Sequence, residues 1–224
     1  WVSDSIDPLE RQQMNRWTAQ LVPQELLGSH IASGRSHTTG RVHELSFRAA
    51  TAICGHLGIE WDLTTATTEE LAELREWVSY YKANRRLLMG GELVRLDLPD
   101  PTLLGYGVIA PDHSSAIYTI ASVGSSDVIL PGRLRFPGLD PNRRYRIRPV
   151  VVGRPPSGLN PPPWWQAAVR DFQPSGEREA SGWDLPPDGG TGLVVSGAAL
   201  ASAGVMAASF HPEHALLYRV DAPD

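Results

Sequence analysis

The chain has two textures. Up to about residue 90, short apolar runs alternate with longer stretches whose apolar positions recur at helical spacing; from residue 91 onward, period-two alternation and turn residues dominate. Asp7-Pro8-Leu9-Glu10 predicts a helix start, with Asp7 as cap, Pro8 at the first helical position and Glu10 adding negative charge to the first turn. Leu9, Met14, Trp17 and Leu21 form its approximate apolar stripe, and Pro23 stops it. Leu26 to Ala32 reads as a buried strand, followed by a polar loop from Ser33 to Gly40 that carries His37. A second helix is predicted from about Val42 to Leu57, with Leu45, Ala49, Ala52, Ile53 and His56 near one side and Gly58 as terminator. Ile59 to Leu63 reads as a short strand. Thr67 and Glu70 have capping-box spacing and open a third helix bearing Leu71, Leu74, Trp77 or Val78, Tyr81 and Leu88. The breaker pair Gly90-Gly91 ends it.

Repeated strand–helix units imply parallel strands covered by helices, either in an open sheet or as the end of a barrel. Beyond Gly91, strand patterns occur at 93–98, 116–121, 145–148, 193–195 and 215–220, separated by Gly/Pro/Asp-rich turns. This half reads as an antiparallel β-sandwich. The expected organisation is therefore an α/β part over residues 1–90 and a sandwich over 91–224. A Pro/Gly-rich insertion is expected around 153–192, containing Trp164, Trp165 and Trp183.

Composition narrows the function. The 224 residues are 42% hydrophobic and 20% charged, which are globular values, and the formal charge of -5 gives no reason to expect nucleic acid or an anionic membrane as partner. The single cysteine, Cys54, excludes an intramolecular disulfide and sits in an apolar run, as an inert buried thiol would. No segment approaches a membrane span, and no signal peptide is visible, although a missing N-terminus would hide one. The expected location is cytoplasmic. Ligand spacing for a metal is absent: His30, His37, His43 and His56 are spread over several elements, and Pro212 breaks His211-Pro212-Glu213-His214. There is no Gly-x-Ser-x-Gly elbow, and Gly189 to Gly192 lacks the Lys-Ser/Thr of a phosphate loop. Neither a metal nor an organic cofactor is expected.

The opening run Trp1-Val2-Ser3-Asp4-Ser5-Ile6-Asp7-Pro8-Leu9-Glu10-Arg11 carries the chemistry. A short apolar-to-acidic turn delivers carboxylates just before a helix, as barrel enzymes do at the ends of their strands. Two acids compete for a functional role. Helix capping accounts for Asp7, whereas Asp4 is either a turn cap or a working acid. Ser3 either supports that acid or is a turn serine, and Trp1 either lines the site or packs.

The run resembles the Trp-x-Ser-Asp-x-x-Asp-x-x-Glu-Arg motif of retaining α-galactosidases of glycoside hydrolase family 36, with Ser5 a mild departure where relatives often carry Asn or Asp. Gly28-Ser29-His30-Ile31-Ala32 is similar to the family's seventh-strand segment, and Phe47, Arg48, Gly58 and Glu60-Trp61-Asp62 fall where relatives have like residues, read here as architecture. The resemblance selects the barrel: these would be the last three strand–helix units of a (β/α)8 TIM barrel. It implies Asp4 as general acid/base, a terminal α-galactoside of melibiose or raffinose type as substrate, and a homo-oligomer as the assembly. His30 would lie near the mouth, where it is either a satisfied structural histidine or hydrogen-bonds a loop of the site. The family's Lys-x-Asp nucleophile motif does not occur in this chain, so the chain alone is expected to be inactive. The alternative is a non-catalytic carbohydrate-binding or assembly module, with Trp164 and Trp165 as the sugar platform.

Overall fold

The computed structural model describes residues 2–165 and 192–223. After an irregular segment comes helix α1 (Pro8–Thr18), followed by strand β1 (Gly28–Ala32), helix α2 (Leu45–Ala52), strand β2 (His56–Glu60) and the long helix α3 (Thr68–Gly90). β1 and β2 pair in parallel from Gly28↔His56 to Ala32↔Glu60. This is the strand–helix alternation the pattern predicts.

Two details differ from the sequence expectation. The second helix stops at Ala52, and His56 to Gly58 belong to β2 rather than to the helix. The chain turns at Gly55, which has φ 121°, and a Cβ there would meet the Leu27 carbonyl oxygen at 2.7 Å. Gly55, not Gly58, is therefore the break. In α1 the buried residues are Pro8, Arg11 and Gln12, while Trp17 is 61% exposed. The apolar stripe does not set the packing; polar bonding does. Gln12 Nε2 donates to Thr51 Oγ1 at 2.9 Å, and Arg11 reaches β1. Burying these groups is tolerable because the terminal nitrogens of Arg11 and Gln12 find partners, although Arg11 Nε has none. The capping box at Thr67 and Glu70 is present in both directions.

The second half contains β3 (Glu92–Leu96), β4 (Leu103–Ile109), β5 (Ser115–Ser122), β6 (Arg133–Leu134), β7 (Arg144–Val150), β8 (Leu193–Ser196), helix α4 (Gly197–Ser202), β9 (Val205–Met206) and β10 (His214–Asp221). Six strands form an antiparallel sheet ordered β3-β4-β5-β10-β7-β8, and β6 pairs with β9 in a small second sheet. Strand β4 goes unpredicted in the sequence, where Gly105 and Gly107 interrupt its apolar run. Gly107 is there because the Tyr118 ring covers it: a Cβ would lie 2.2 Å from that ring.

The large sheet is buried on both faces. Tyr118, Ile120, Tyr145, Ile147, Leu216 and Tyr218 pack toward the small sheet with Phe136, Trp165 and Leu200. Val108, Ile117, Val150 and Leu217 pack instead on α2 and α3, against Ala49, Ile53, Trp77 and Leu88. Alternate residues of β5 thus serve two cores, which explains why its sequence is apolar throughout rather than alternating. The buried tyrosines keep partners: Tyr118 donates to the Pro137 carbonyl at 2.6 Å and Tyr145 to that of His113 at 2.7 Å. Across the same joint, His43 Nε2 lies 3.1 Å from Glu213 Oε2. No helix among the described residues is long and apolar enough to cross a membrane.

Candidate active site

The segment before α1 is built by its own side chains. Ser3 Oγ accepts from the Ser5 amide at 3.0 Å, and Ser5 Oγ donates to Glu10 Oε2 at 2.7 Å. Ser3 is thus a turn serine. Asp7 Oδ1 caps the helix, accepting from the amides of Leu9 at 2.9 Å and Glu10 at 3.4 Å. Its other oxygen accepts from Thr39 Oγ1 at 2.6 Å and from Arg41 Nη1 at 3.0 Å. With both oxygens engaged and no surface exposed, Asp7 is structural. Asp4 is the exposed carboxylate of the pair.

Asp7 makes stability depend on acid pH. Burial pushes its carboxyl upward, but hydrogen bonds from Thr39, Arg41 and the Leu9 amide outweigh that and hold it below its ordinary 3.8. A carboxyl depressed in the folded state contributes stability above the unfolded value, and that contribution is lost as pH falls through the folded value. Asp7→Asn should therefore flatten the acid limb of a stability–pH curve below about pH 4, measured by urea unfolding at each pH. An unchanged acid limb would refute this role.

Behind Asp4 lies a buried polar group. The Arg11 guanidinium donates from Nη1 to the Ser5 carbonyl at 3.1 Å and, more weakly, to that of Ser3 at 3.5 Å. From Nη2 it donates to Ser29 Oγ at 3.1 Å. Its Nη1 is also 3.4 Å from His30 Nε2, and that same nitrogen is 3.2 Å from Glu60 Oε2. One imidazole nitrogen can either accept from Arg11 or donate to Glu60, according to the tautomer. Burial and the Arg11 charge hold the His30 pKa below 6.5, against upward pulls from Glu60 and Asp4, so the ring is neutral near pH 7. The Asp4 charge is therefore within electrostatic reach of His30.

His30 meets the Arg11 guanidinium, which in turn donates to the Ser3 and Ser5 carbonyls of the loop. Glu60, read as architecture, joins this group from the end of β2, where it pairs with Ala32; nothing in the sequence pattern linked it to the acid-bearing loop. Arg48 has the architectural part. It donates to the Ala32 carbonyl, lies 3.4 Å from Glu70 and covers the Trp61 ring at 4.8 Å. Arg41 and Thr39, in a loop whose polar residues gave no sign of it, hold Asp7.

Other candidates fall away. Trp165 is buried among Tyr218 and Trp164, and Trp164 Nε1 donates to the Met206 carbonyl at 2.8 Å, so this pair packs its own domain rather than presenting a sugar platform. Desolvation pushes the Cys54 thiol up to about 12, which leaves it unreactive. Trp1, Trp183 and most of the 153–192 stretch lie outside the described residues.

The parallel strand pair with covering helices, the acid-bearing loop ahead of one helix and the attached antiparallel sandwich together match a class of glycoside hydrolases. Residues 1–91 match the Melibiase family and residues 105–218 match the glycosyl hydrolase family 36 C-terminal domain. The chain belongs to glycosyl hydrolase family 36. It is 35% identical to an alpha-galactosidase of Escherichia coli over 99% of this chain and 29% of that relative. It is 30% identical to alpha-galactosidase AgaA of Geobacillus stearothermophilus over 68% of this chain and 21% of that relative. A crystal structure of an AgaA variant in complex with 1-deoxygalactonojirimycin superposes with a TM-score of 0.74 at 25% identity, covering 100% of this chain and 26% of that one. The chain thus spans less than a third of the length of these relatives, and its α/β part corresponds to the last strand–helix units of a (β/α)8 barrel.

Proposed function

We propose that this chain forms the C-terminal part of a retaining α-galactosidase acting on melibiose- or raffinose-type oligosaccharides, with Asp4 as general acid/base. The observation that carries this is the difference in exposure between two acids three residues apart: Asp7 is fully buried, whereas Asp4 is exposed on a loop braced from behind. We divide the chain at residue 90/91 into barrel and sandwich, with the Pro/Gly-rich insertion around 153–192. A homo-oligomer and a cytoplasmic location belong to the same proposal and rest on family likeness alone.

In this reading a second carboxylate, from another part of the barrel, attacks the anomeric carbon of the galactoside. The Asp4 carboxyl gives its proton to the departing glycosidic oxygen, leaving a galactosyl ester on the enzyme. The Asp4 carboxylate then takes a proton from water, whose oxygen attacks the anomeric carbon. The ester breaks, galactose leaves with its configuration retained, and both carboxyl groups return to their starting states. Retaining enzymes hold the two carboxyls about 5–5.5 Å apart. A chain carrying only the acid/base has no route to the ester. Purified 1–224 should therefore show no turnover of an aryl α-galactoside, and the complete enzyme should release α-galactose first when followed by proton NMR. Turnover by 1–224, or β-galactose as first product, would overturn the reading.

A further inference from the structure

Arg11 is 3% exposed, yet it is a cation on a helix face that should be apolar. A buried guanidinium loses its hydration, so its position demands an explanation beyond packing. Its contacts supply one. They straddle Asp4: the carbonyls of Ser3 and Ser5 are those of the residues on either side of it, and both are held by Nη1. The far nitrogen is anchored on Ser29 Oγ, in β1.

We propose that Arg11 is a positioning residue for Asp4: it ties the backbone on both flanks of that residue to strand β1 and so fixes where the carboxyl meets the glycosidic oxygen. This rests on the reading of Asp4 as acid/base. An arginine suits the place better than a lysine, because its rigid fork presents several donors in one plane, while a lysine offers a single compact head. The need for such a brace is chemical. Proton donation demands hydrogen-bond reach of the leaving oxygen, and a displacement of about 1 Å at a reacting group can cost about a hundredfold in rate. Ser5 Oγ bonded to Glu10 adds a second tie on the helix side, so the loop is held from two directions. His30 and Glu60 complete the charge around the guanidinium: Glu60 offsets the positive charge, and neutral His30 adds none.

The test is made in the complete enzyme with Arg11→Met, Arg11→Lys and Ser29→Ala, alongside Asp4→Asn. For Arg11→Met, kcat on melibiose should fall roughly 10- to 100-fold with KM changed less than about threefold. The loss in kcat/KM should shrink on a dinitrophenyl galactoside, whose departure needs no proton, while kcat on that substrate stays low because ester breakdown still needs the Asp4 carboxylate as base. Arg11→Lys should recover part of the rate, and Ser29→Ala, which keeps the guanidinium but removes its rear anchor, should show a smaller loss with the same leaving-group dependence. If Arg11→Met proves too unstable to purify, Ser29→Ala and Arg11→Lys decide. Variants that only lower the melting temperature, with kcat and leaving-group dependence unchanged, would overturn the positioning role. Failure of the Asp4 assignment is distinguishable, because Asp4→Asn itself would then keep its activity on melibiose.

Discussion

Asp4→Asn in the complete enzyme is expected to lower kcat on melibiose by roughly 10²- to 10⁴-fold, the usual worth of a general acid. The substitution keeps the size of the side chain and removes its proton. The effect should be graded by leaving group. A dinitrophenyl galactoside departs without protonation, so formation of the galactosyl ester should survive. Breakdown of the ester needs a base and should become rate-limiting, giving a burst of the phenol followed by a slow steady state. Azide, a nucleophile that needs no base, should speed that second step and yield an α-galactosyl azide. The measurement is steady-state and burst kinetics on both substrates, with and without azide. Near-normal kcat on melibiose would remove Asp4 from the chemistry, and Asp7 could not replace it, since both of its oxygens are spent on Leu9, Glu10, Thr39 and Arg41.

The largest effect on stability is expected from Phe136→Ala. Phe136 is fully buried between two tyrosines of the large sheet, with ring centroids 4.9 Å from Tyr118 and 5.7 Å from Tyr218, both nearly edge-to-face. Truncation removes the transfer free energy of the ring and leaves a cavity that rigid neighbours cannot fill, at a cost of about 3–5 kcal/mol. Edge-to-face partners add about 0.5–1.5 kcal/mol per pair beyond burial, so Phe136→Leu, which refills part of the volume, should still cost more than volume alone implies. Urea unfolding of the two variants checks this through their midpoints at unchanged slope. A loss below about 1 kcal/mol for the alanine variant would mean that Phe136 is not central to the sandwich core.

The fold was legible where local chemistry and tertiary packing agree. The cap at Asp7, the capping box at Thr67 and the alternating runs at β3 and β7 are short-range signals, and each is realised. Legibility failed where a distant partner decides. Gly105 and Gly107 look like breaks until the Tyr118 ring, eleven residues on from Gly107, is placed over the strand. Ile53 to Leu57 reads as the end of the second helix because its apolar residues continue the stripe, and the close approach of the Leu27 backbone to Gly55 makes it a turn and a strand instead. In α1 the apolar stripe misleads because a buried Arg11 and Gln12 bond to β1 and α2. The site was legible in part. Asp7 as a cap follows from Asp-Pro alone, but Thr39, Arg41 and Glu60 enter through loops and strand ends that no short-range pattern connects to the acid.

The two-sided burial of the large sheet bears on how such enzymes can be recombined. β5 and β10 place neighbouring side chains into different cores, so the seam between the halves runs through individual strands instead of along a linker. Exchanging the C-terminal module between homologues at Gly90-Gly91 would join surfaces that interlock side chain by side chain in this chain. A chimera should carry α2 and α3 across with the sheet they support, treating them as the sandwich's own third layer.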